Sequence, residues 1–271
     1  MTPAHPFFEG LSPTLHIAHR GGAGVAPENT MVAFEQAVRL HRTDMLEIDV
    51  QLTRDGVLVV AHDDEVDRCT NGTGDISGFD LGELRKLDAG HRFTPDGEQT
   101  FPFRGRGIQI PTLREVLDAF PKLRFNIEVK RPQPGIEEKF AQELLRADAL
   151  HRVCIGSSSD AIGERLHRLL PEAVHFYPLS ALTEFVMAVR TGQEPPDDPR
   201  FLVLDMPLEY AGMRLVDELF MDAARRCGRW VNVWTIDDPA EMRALVDLGV
   251  GGVMTDRPDL LRQVLDEAAS R

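Results

Sequence analysis

The sequence predicts a (β/α)8 barrel of the TIM type, one α/β domain over residues 1–271, with a loop-rich insertion over residues 63–110 after the second strand. Two observations carry that expectation. The chain has 271 residues, close to the roughly 250 that such barrels use. Short β-branched or apolar runs also recur along it, nearly all of them followed by a helical pattern.

The runs come in order. HIAHR (16–20) ends in two cationic groups, then glycines, before Pro27, Glu28, Asn29 and Thr30 announce a helix. MLEIDVQL (45–52) and VLVVAH (57–62) read as a hairpin around an Asp55-Gly56 turn. RFNIEVK (124–130), RVCIGSS (152–158), AVHFYPL (173–179), FLVLDM (201–206), WVNVWTI (230–236) and GGVMT (251–255) then alternate with helices to the end. Thr112 and Glu115 make a capping box ahead of the stripe Leu113, Val116, Leu117 and Phe120. Asp238, Pro239 and Glu241 start another helix, which Gly249 stops. With MLEIDVQL and VLVVAH counted as one barrel strand and its hairpin extension, there are eight βα units.

The insertion breaks this rhythm. It carries Asn71-Gly72, Gly74, Gly78, Gly82, Gly90, Pro95-Asp96-Gly97 and Gly105, with only a short helix beginning near Asp80. A long loop-rich segment in a compact domain usually covers a site or binds something. Asn71-Gly72-Thr73 fits a glycosylation sequon and is read as a turn; no linker, repeat or low-complexity tract stands out.

Composition narrows the class. At 42% hydrophobic and 27% charged residues the chain is an ordinary globular one. No window approaches the ~18 uninterrupted apolar residues of a membrane span. The start, MTPAHPFFEG, lacks the basic and apolar regions of a secretory signal, so a cytoplasmic protein is expected. Cys69, Cys154 and Cys227 are odd in number, widely spaced and without a CxxC pair, which fits buried inert thiols in a reducing compartment and gives no zinc signature. A net charge of −14 argues against nucleic acid and against adsorption to anionic membranes. An anionic ligand would need its positive site built locally.

Barrel sites lie at the C-terminal ends of the strands. There the sequence places His19-Arg20, Glu47 and Asp49, His62-Asp63, and Glu128 and Lys130. Glu47 and Asp49 are two apart, as are Glu128 and Lys130, so each pair shares one strand face. Three carboxylates crowded on an inner face would be driven toward protonation without a compensating cation. All-oxygen ligation suits Mg²⁺ or Ca²⁺; structural salt bridges to arginines are the alternative. His19 and His62 are placed to act as general base and general acid on opposite sides of a phosphorus. Arg20 and Lys130 supply fixed positive charge for a phosphodiester oxygen, and Gly21-Gly22 let the backbone approach it.

The blocks HRGG…PENT, EIDVQLTRDGVLVVAHDDEVDRCTNGTG, NIEVK, VWTID and GVMTDRPDL resemble, in order across residues 16–260, the glycerophosphodiester phosphodiesterase family. The resemblance implies hydrolysis of glycerophosphodiesters to glycerol 3-phosphate and an alcohol on a TIM barrel with a divalent cation. It implies Glu47, Asp49 and Glu128 as metal ligands, His19 and His62 as the acid/base pair, Arg20 and Lys130 on the phosphate, and Trp234 near the substrate, where core packing is the alternative for that residue. It also implies an intramolecular route in which the glycerol hydroxyl beside the ester attacks phosphorus. Asp237 stands where the family often has Asn. Related barrels cleave lysophospholipids; with no basic amphipathic helix and a negative charge, no stable membrane association is expected, and an apolar groove lined by the insertion would favour that reading. A barrel that only binds phosphorylated ligands would be expected to lack one of these groups, and all are present. A metal-dependent carbon–carbon lyase would leave the two histidines unexplained. The alcohol, whether choline, ethanolamine, glycerol or inositol, the preferred ion, the division of labour between the histidines and the oligomeric state stay open.

Overall fold

The apolar runs become strands where alternate residues face two different interiors, the barrel lumen and the helical shell. The computed structural model describes residues 5–270. Its strands are β1 (Leu15–His19), β2 (Met45–Leu52), β3 (Leu58–Val60), β4 (Arg124–Val129), β5 (Val153–Gly156), β6 (Val174–His175), β7 (Val203–Pro207), β8 (Glu209–Tyr210), β9 (Met213–Arg214), β10 (Trp230–Trp234) and β11 (Gly252–Thr255). Eight of them pair in parallel in the order β6-β5-β4-β2-β1-β11-β10-β7. The ends of that sheet meet at a bridge between Phe176 and Val203, backed by Tyr177 N–H to Val203 O at 2.9 Å and Leu202 N–H to His175 O at 3.0 Å. The result is a nearly closed (β/α)8 barrel, as the sequence predicts. β3 folds back antiparallel on β2, the expected hairpin.

Several predicted runs shorten, among them RVCIGSS to Val153–Gly156 and WVNVWTI to Trp230–Trp234. VLVVAH keeps ladder pairing only over Leu58–Val60, and AVHFYPL only over Val174–His175. In the second, Pro178 has no N–H for a ladder and instead becomes the N-cap of the helix Leu179–Arg190, so Leu179 opens a helix rather than ending a strand. The small hairpin β8–β9 has no counterpart in the sequence reading.

The lumen is stratified. At its floor Leu15, Ile17, Met45, Cys154, Val174, Val203 and Met254 form an apolar plug, closed from below by Phe7 and Phe8. Above the plug the inward positions turn polar, and the parallel registers set His19 beside Glu47, Glu47 beside Asn126, and Asp49 beside Glu128. Outward residues such as Ile48, Ile127 and Val129 on one side, and Leu204, Val231 and Val233 on the other, pack under the helices. The helix Leu113–Ala119 starts with the predicted capping box at Thr112, and Asp238 caps Pro239–Leu248, which ends on left-handed Gly249. Gly156 leaves room for the Phe176 ring, which a Cβ there would strike.

The insertion is folded rather than loose. Val66, Ile76, Leu84, Ala89, Ile108 and Ile110 make a small core of their own against Val59. Of the thiols only Cys154 is buried; Cys69 and Cys227 are partly exposed, a correction to the expectation of three buried ones, though all are free and desolvation raises each pKa. Among the described residues no helix is long and apolar enough to cross a membrane.

Candidate active site

All eight residues singled out in the sequence, His19, Arg20, Glu47, Asp49, His62, Glu128, Lys130 and Trp234, line one cavity of about 250 Å³ at the C-terminal mouth of the barrel. His19 ends β1, and its Nδ1 lies 2.7 Å from Asp256 Oδ1, just past β11. A carboxylate only accepts, so Nδ1 donates, leaving Nε2 as the free nitrogen 3.8 Å from Glu47 Oε2. Burial opposes charge on His19, but Glu47 and Asp256 outweigh it and raise its pKa.

Arg20 follows in the left-handed region, φ 52°. That turn aims its backbone N–H at Glu47 Oε2, 2.9 Å away, and its guanidinium at Glu28 Oε1, 3.0 Å away. Glu47 is buried beside Asp49, and burial with that like charge pushes its carboxyl up to about 8 despite His19. Asp49, 1% exposed, accepts from Asn29 Nδ2 at 3.0 Å and faces Lys130 Nζ at 3.5 Å. Glu128 accepts from Lys130 Nζ at 2.8 Å and from Ser158 N–H at 3.2 Å. Burial opposes the Lys130 charge, and Asp49 and Glu128 restore it, raising the pKa.

Three carboxylates opening into one cavity are the oxygen donor set a hard divalent cation takes. Glu47, raised in pKa beside a second carboxylate, is a group whose charge a cation would stabilise. The donor chemistry fits. The donors do not yet converge: among the described residues no three His, Cys, Asp or Glu side chains form a ready-made cage. Lys130 Nζ stands between Glu128 and Asp49 instead.

His62 lies past β3 on a loop pinned by Gln51 Nε2, which donates to the carbonyls of Ala61, His62 and Asp63. Its Nδ1 donates to Asp63 Oδ1 at 2.7 Å. Burial opposes the Asp63 charge, but hydrogen bonds from Arg68 and His62 outweigh it and hold the carboxyl at about 2. Trp234, 41% exposed at the end of β10, stands in the mouth rather than in the core. Across the barrel from β1, Phe176, Tyr177, Leu179 and Leu182 make an apolar wall, and Met254 of β11 adds to the apolar lining beside β1.

A sequence model of the glycerophosphoryl diester phosphodiesterase family matches residues 19–260. The chain belongs to this family. A glycerophosphodiester phosphodiesterase of Bacillus subtilis (strain 168) is 32% identical across 97% of this chain and 92% of its own length. A lysophospholipase D of Homo sapiens is 30% identical across 92% of this chain and 85% of its own. Among solved structures, an Oleispira antarctica phosphodiesterase in complex with the product sn-glycerol-3-phosphate superposes with a TM-score of 0.72 at 27% identity, covering 92% of this chain and 96% of that one. As a member of the glycerophosphodiester phosphodiesterases, this chain is an enzyme, a phosphoric diester hydrolase.

Several residues of this family member's site escaped the sequence reading as functional groups. Asp256, Asp63 and Glu28 hydrogen-bond His19, His62 and Arg20, Arg68 bonds Asp63 and Glu28 in turn, and the Asp that directly follows His62 was the one signal available. Asp205 also lines the cavity: it is partly exposed there, with its pKa lifted to about 6 by desolvation, and accepts from Asn126 Nδ2 at 2.5 Å and Asn232 Nδ2 at 2.7 Å. Asp237, the departure from the family pattern, accepts from Thr255 Oγ1 at 2.9 Å and from Asp256 N–H at 2.8 Å, so it braces the residue that holds His19.

Proposed function

We propose that this chain, acting as a single cytoplasmic domain, hydrolyses glycerophosphodiesters to glycerol 3-phosphate and an alcohol. His19 and His62 serve as the general acid/base pair, and Arg20 and Lys130 hold the phosphate. Trp234 lies against the substrate, and Glu47, Asp49 and Glu128 hold a divalent cation, Mg²⁺ or Ca²⁺. The observation that carries the proposal is the pairing of two histidines, each with Nδ1 tied to a carboxylate at 2.7 Å, in one cavity with two fixed cations. The names of the Bacillus relative and of the product-bound Oleispira structure support the substrate class, and the family's general reliance on a divalent cation supports the metal.

One histidine takes the proton of the glycerol hydroxyl beside the ester as that oxygen forms its bond to phosphorus. The other gives its proton to the leaving alcohol oxygen as the old P–O bond breaks. Water then opens the cyclic phosphate with the two roles exchanged. Arg20 and Lys130 stabilise the charge that gathers on the non-bridging oxygens. A bound cation would add Lewis-acid stabilisation of the same charge.

A second reading has one specific observation behind it. The wall of Phe176, Tyr177, Leu179 and Leu182 suits an acyl chain, as in a lysophospholipid, although it is built by the end of β6 and the following helix and not by the insertion.

The test is release of glycerol 3-phosphate from a panel of glycerophosphodiesters, and of choline from lysophosphatidylcholine, by chelator-stripped protein with Mg²⁺, Ca²⁺ or no metal restored. Metal-dependent release from the panel is expected, with losses of at least about 10²-fold in His19→Ala and His62→Ala at unchanged fold. Substantial activity in either variant sinks the acid/base assignment. Turnover of lysophosphatidylcholine alone transfers the conclusion to the second reading.

A further inference from the structure

We propose that Arg68, contributed by the insertion, is a positioning residue that locks the loop bearing His62 to the loop bearing Arg20. The inference rests on the acid/base and phosphate roles proposed above. Arg68 spends its guanidinium on two carboxylates from different segments. Its Nε donates to Asp63 Oδ2 at 2.5 Å, while its two terminal nitrogens donate to Glu28 Oε2 at 2.6 Å and Glu28 Oε1 at 2.7 Å. Asp63 in turn receives His62 Nδ1, and Glu28 Oε1 also receives an Arg20 terminal nitrogen at 3.0 Å. An unbroken chain therefore runs His62, Asp63, Arg68, Glu28, Arg20. It joins the loop after β3 to the loop after β1 through one side chain of the insertion.

The arrangement needs an arginine. Only a planar fork presents three donors in fixed directions, two for one carboxylate and a third for another; an ammonium is a single point charge. Two carboxylates and two guanidinium groups balance. Without Arg68 the set carries a surplus negative charge, Asp63 keeps His62 as its only side-chain partner in this chain of contacts, and Glu28 competes unopposed for Arg20 against a phosphate. A displacement of about 1 Å at a reacting group is enough to lower a rate about 10²-fold.

The experiment compares wild type, Arg68→Ala, Arg68→Lys, Asp63→Asn and the Arg68→Ala/Asp63→Asn double variant on a glycerophosphodiester of the panel, with His62→Ala alongside and Tm recorded for each. We expect kcat of Arg68→Ala to fall about 10²-fold with Tm within about 4 °C of wild type. Arg68→Lys should recover only part of the loss. Free guanidinium should restore turnover to Arg68→Ala where methylammonium does not, and the double variant should be little worse than Asp63→Asn. Should Arg68→Ala not fold, the folded Arg68→Lys decides, since a wild-type kcat there overturns the fork argument. A kcat of Arg68→Ala within about threefold of wild type overturns the proposal, as does an unrescued loss that adds fully to that of Asp63→Asn. Either result, with His62→Ala inactive, leaves the proposed function standing; an active His62→Ala removes that reading instead.

Discussion

His16 offers a prediction whose size follows from its surroundings. It lies three residues before His19 on the same strand, fully buried, with Nε2 donating to Pro258 O at 2.8 Å and Nδ1 3.0 Å from Thr43 Oγ1. Desolvation lowers its pKa from 6.5 to about 4. Between those values the unfolded chain binds a proton that the folded chain refuses, so stability present above pH 6.5 is lost progressively as the pH falls toward 4. Each unit is worth about 1.4 kcal/mol, so about 2 kcal/mol disappears between pH 7 and pH 5. Other groups titrate in the same range, Glu47 and Asp205 in the opposite sense, and a comparison with His16→Gln cancels them. Glutamine keeps an N–H for Pro258 and cannot ionise. Urea unfolding of both proteins at pH 7 and pH 5 should show His16→Gln gaining about 2 kcal/mol on wild type across that interval. Parallel pH dependences of the two proteins would refute the reasoning, because they would mean that His16 accepts its proton in the fold.

Two further substitutions probe the lumen and its rim. In Asp237→Asn the amide oxygen accepts from the same Thr255 hydroxyl and Asp256 N–H, so turnover should stay within about twofold of wild type; a loss of tenfold or more in kcat would show that the negative charge itself matters. In Gly252→Ala the new Cβ overlaps the Asn232 amide oxygen and Ile17 Cδ1, which should cost about 1–3 kcal/mol. Thermal unfolding reads this, and an unchanged Tm would show that the polar layer yields.

Local chemistry made the barrel legible. Apolar runs, the Asp55-Gly56 turn and the Thr112 and Asp238 caps are near-neighbour signals, and all became elements where the sequence places them. Strand lengths were less legible, because pairing depends on partners: Phe176 reads as strand but finds only one bridge across the closing seam. The same division holds in the site. His19, Glu47, Asp49 and Glu128 were visible because strand ends and two-residue spacing are local features. Asp256 was not, because it meets His19 across 237 positions of chain, and Arg68 reaches Glu28 across 40. Nothing within a window of either partner announces those contacts.

The seam between β6 and β7 has a consequence for how this catalyst can diversify. Most charged groups of the cavity, His19, Arg20, Glu47, Asp49, Glu128 and Lys130, stand on or directly after β1, β2 and β4, which pair continuously, β2 with β4 from Met45 to Val50; His62 past β3 and Asp205 on β7 complete the set. The apolar wall stands on the least laddered stretch of the circumference, where Phe176 and Tyr177 hand over to the helix Leu179–Arg190. On the function proposed above, the continuous ladder underlies the reacting groups and the thinly laddered stretch underlies the apolar wall. Replacements at Leu179 or Leu182 then alter a surface with little ladder to disturb, while the charged half keeps its geometry. A chain built this way can change what its apolar wall accepts while keeping the groups proposed to act on phosphorus.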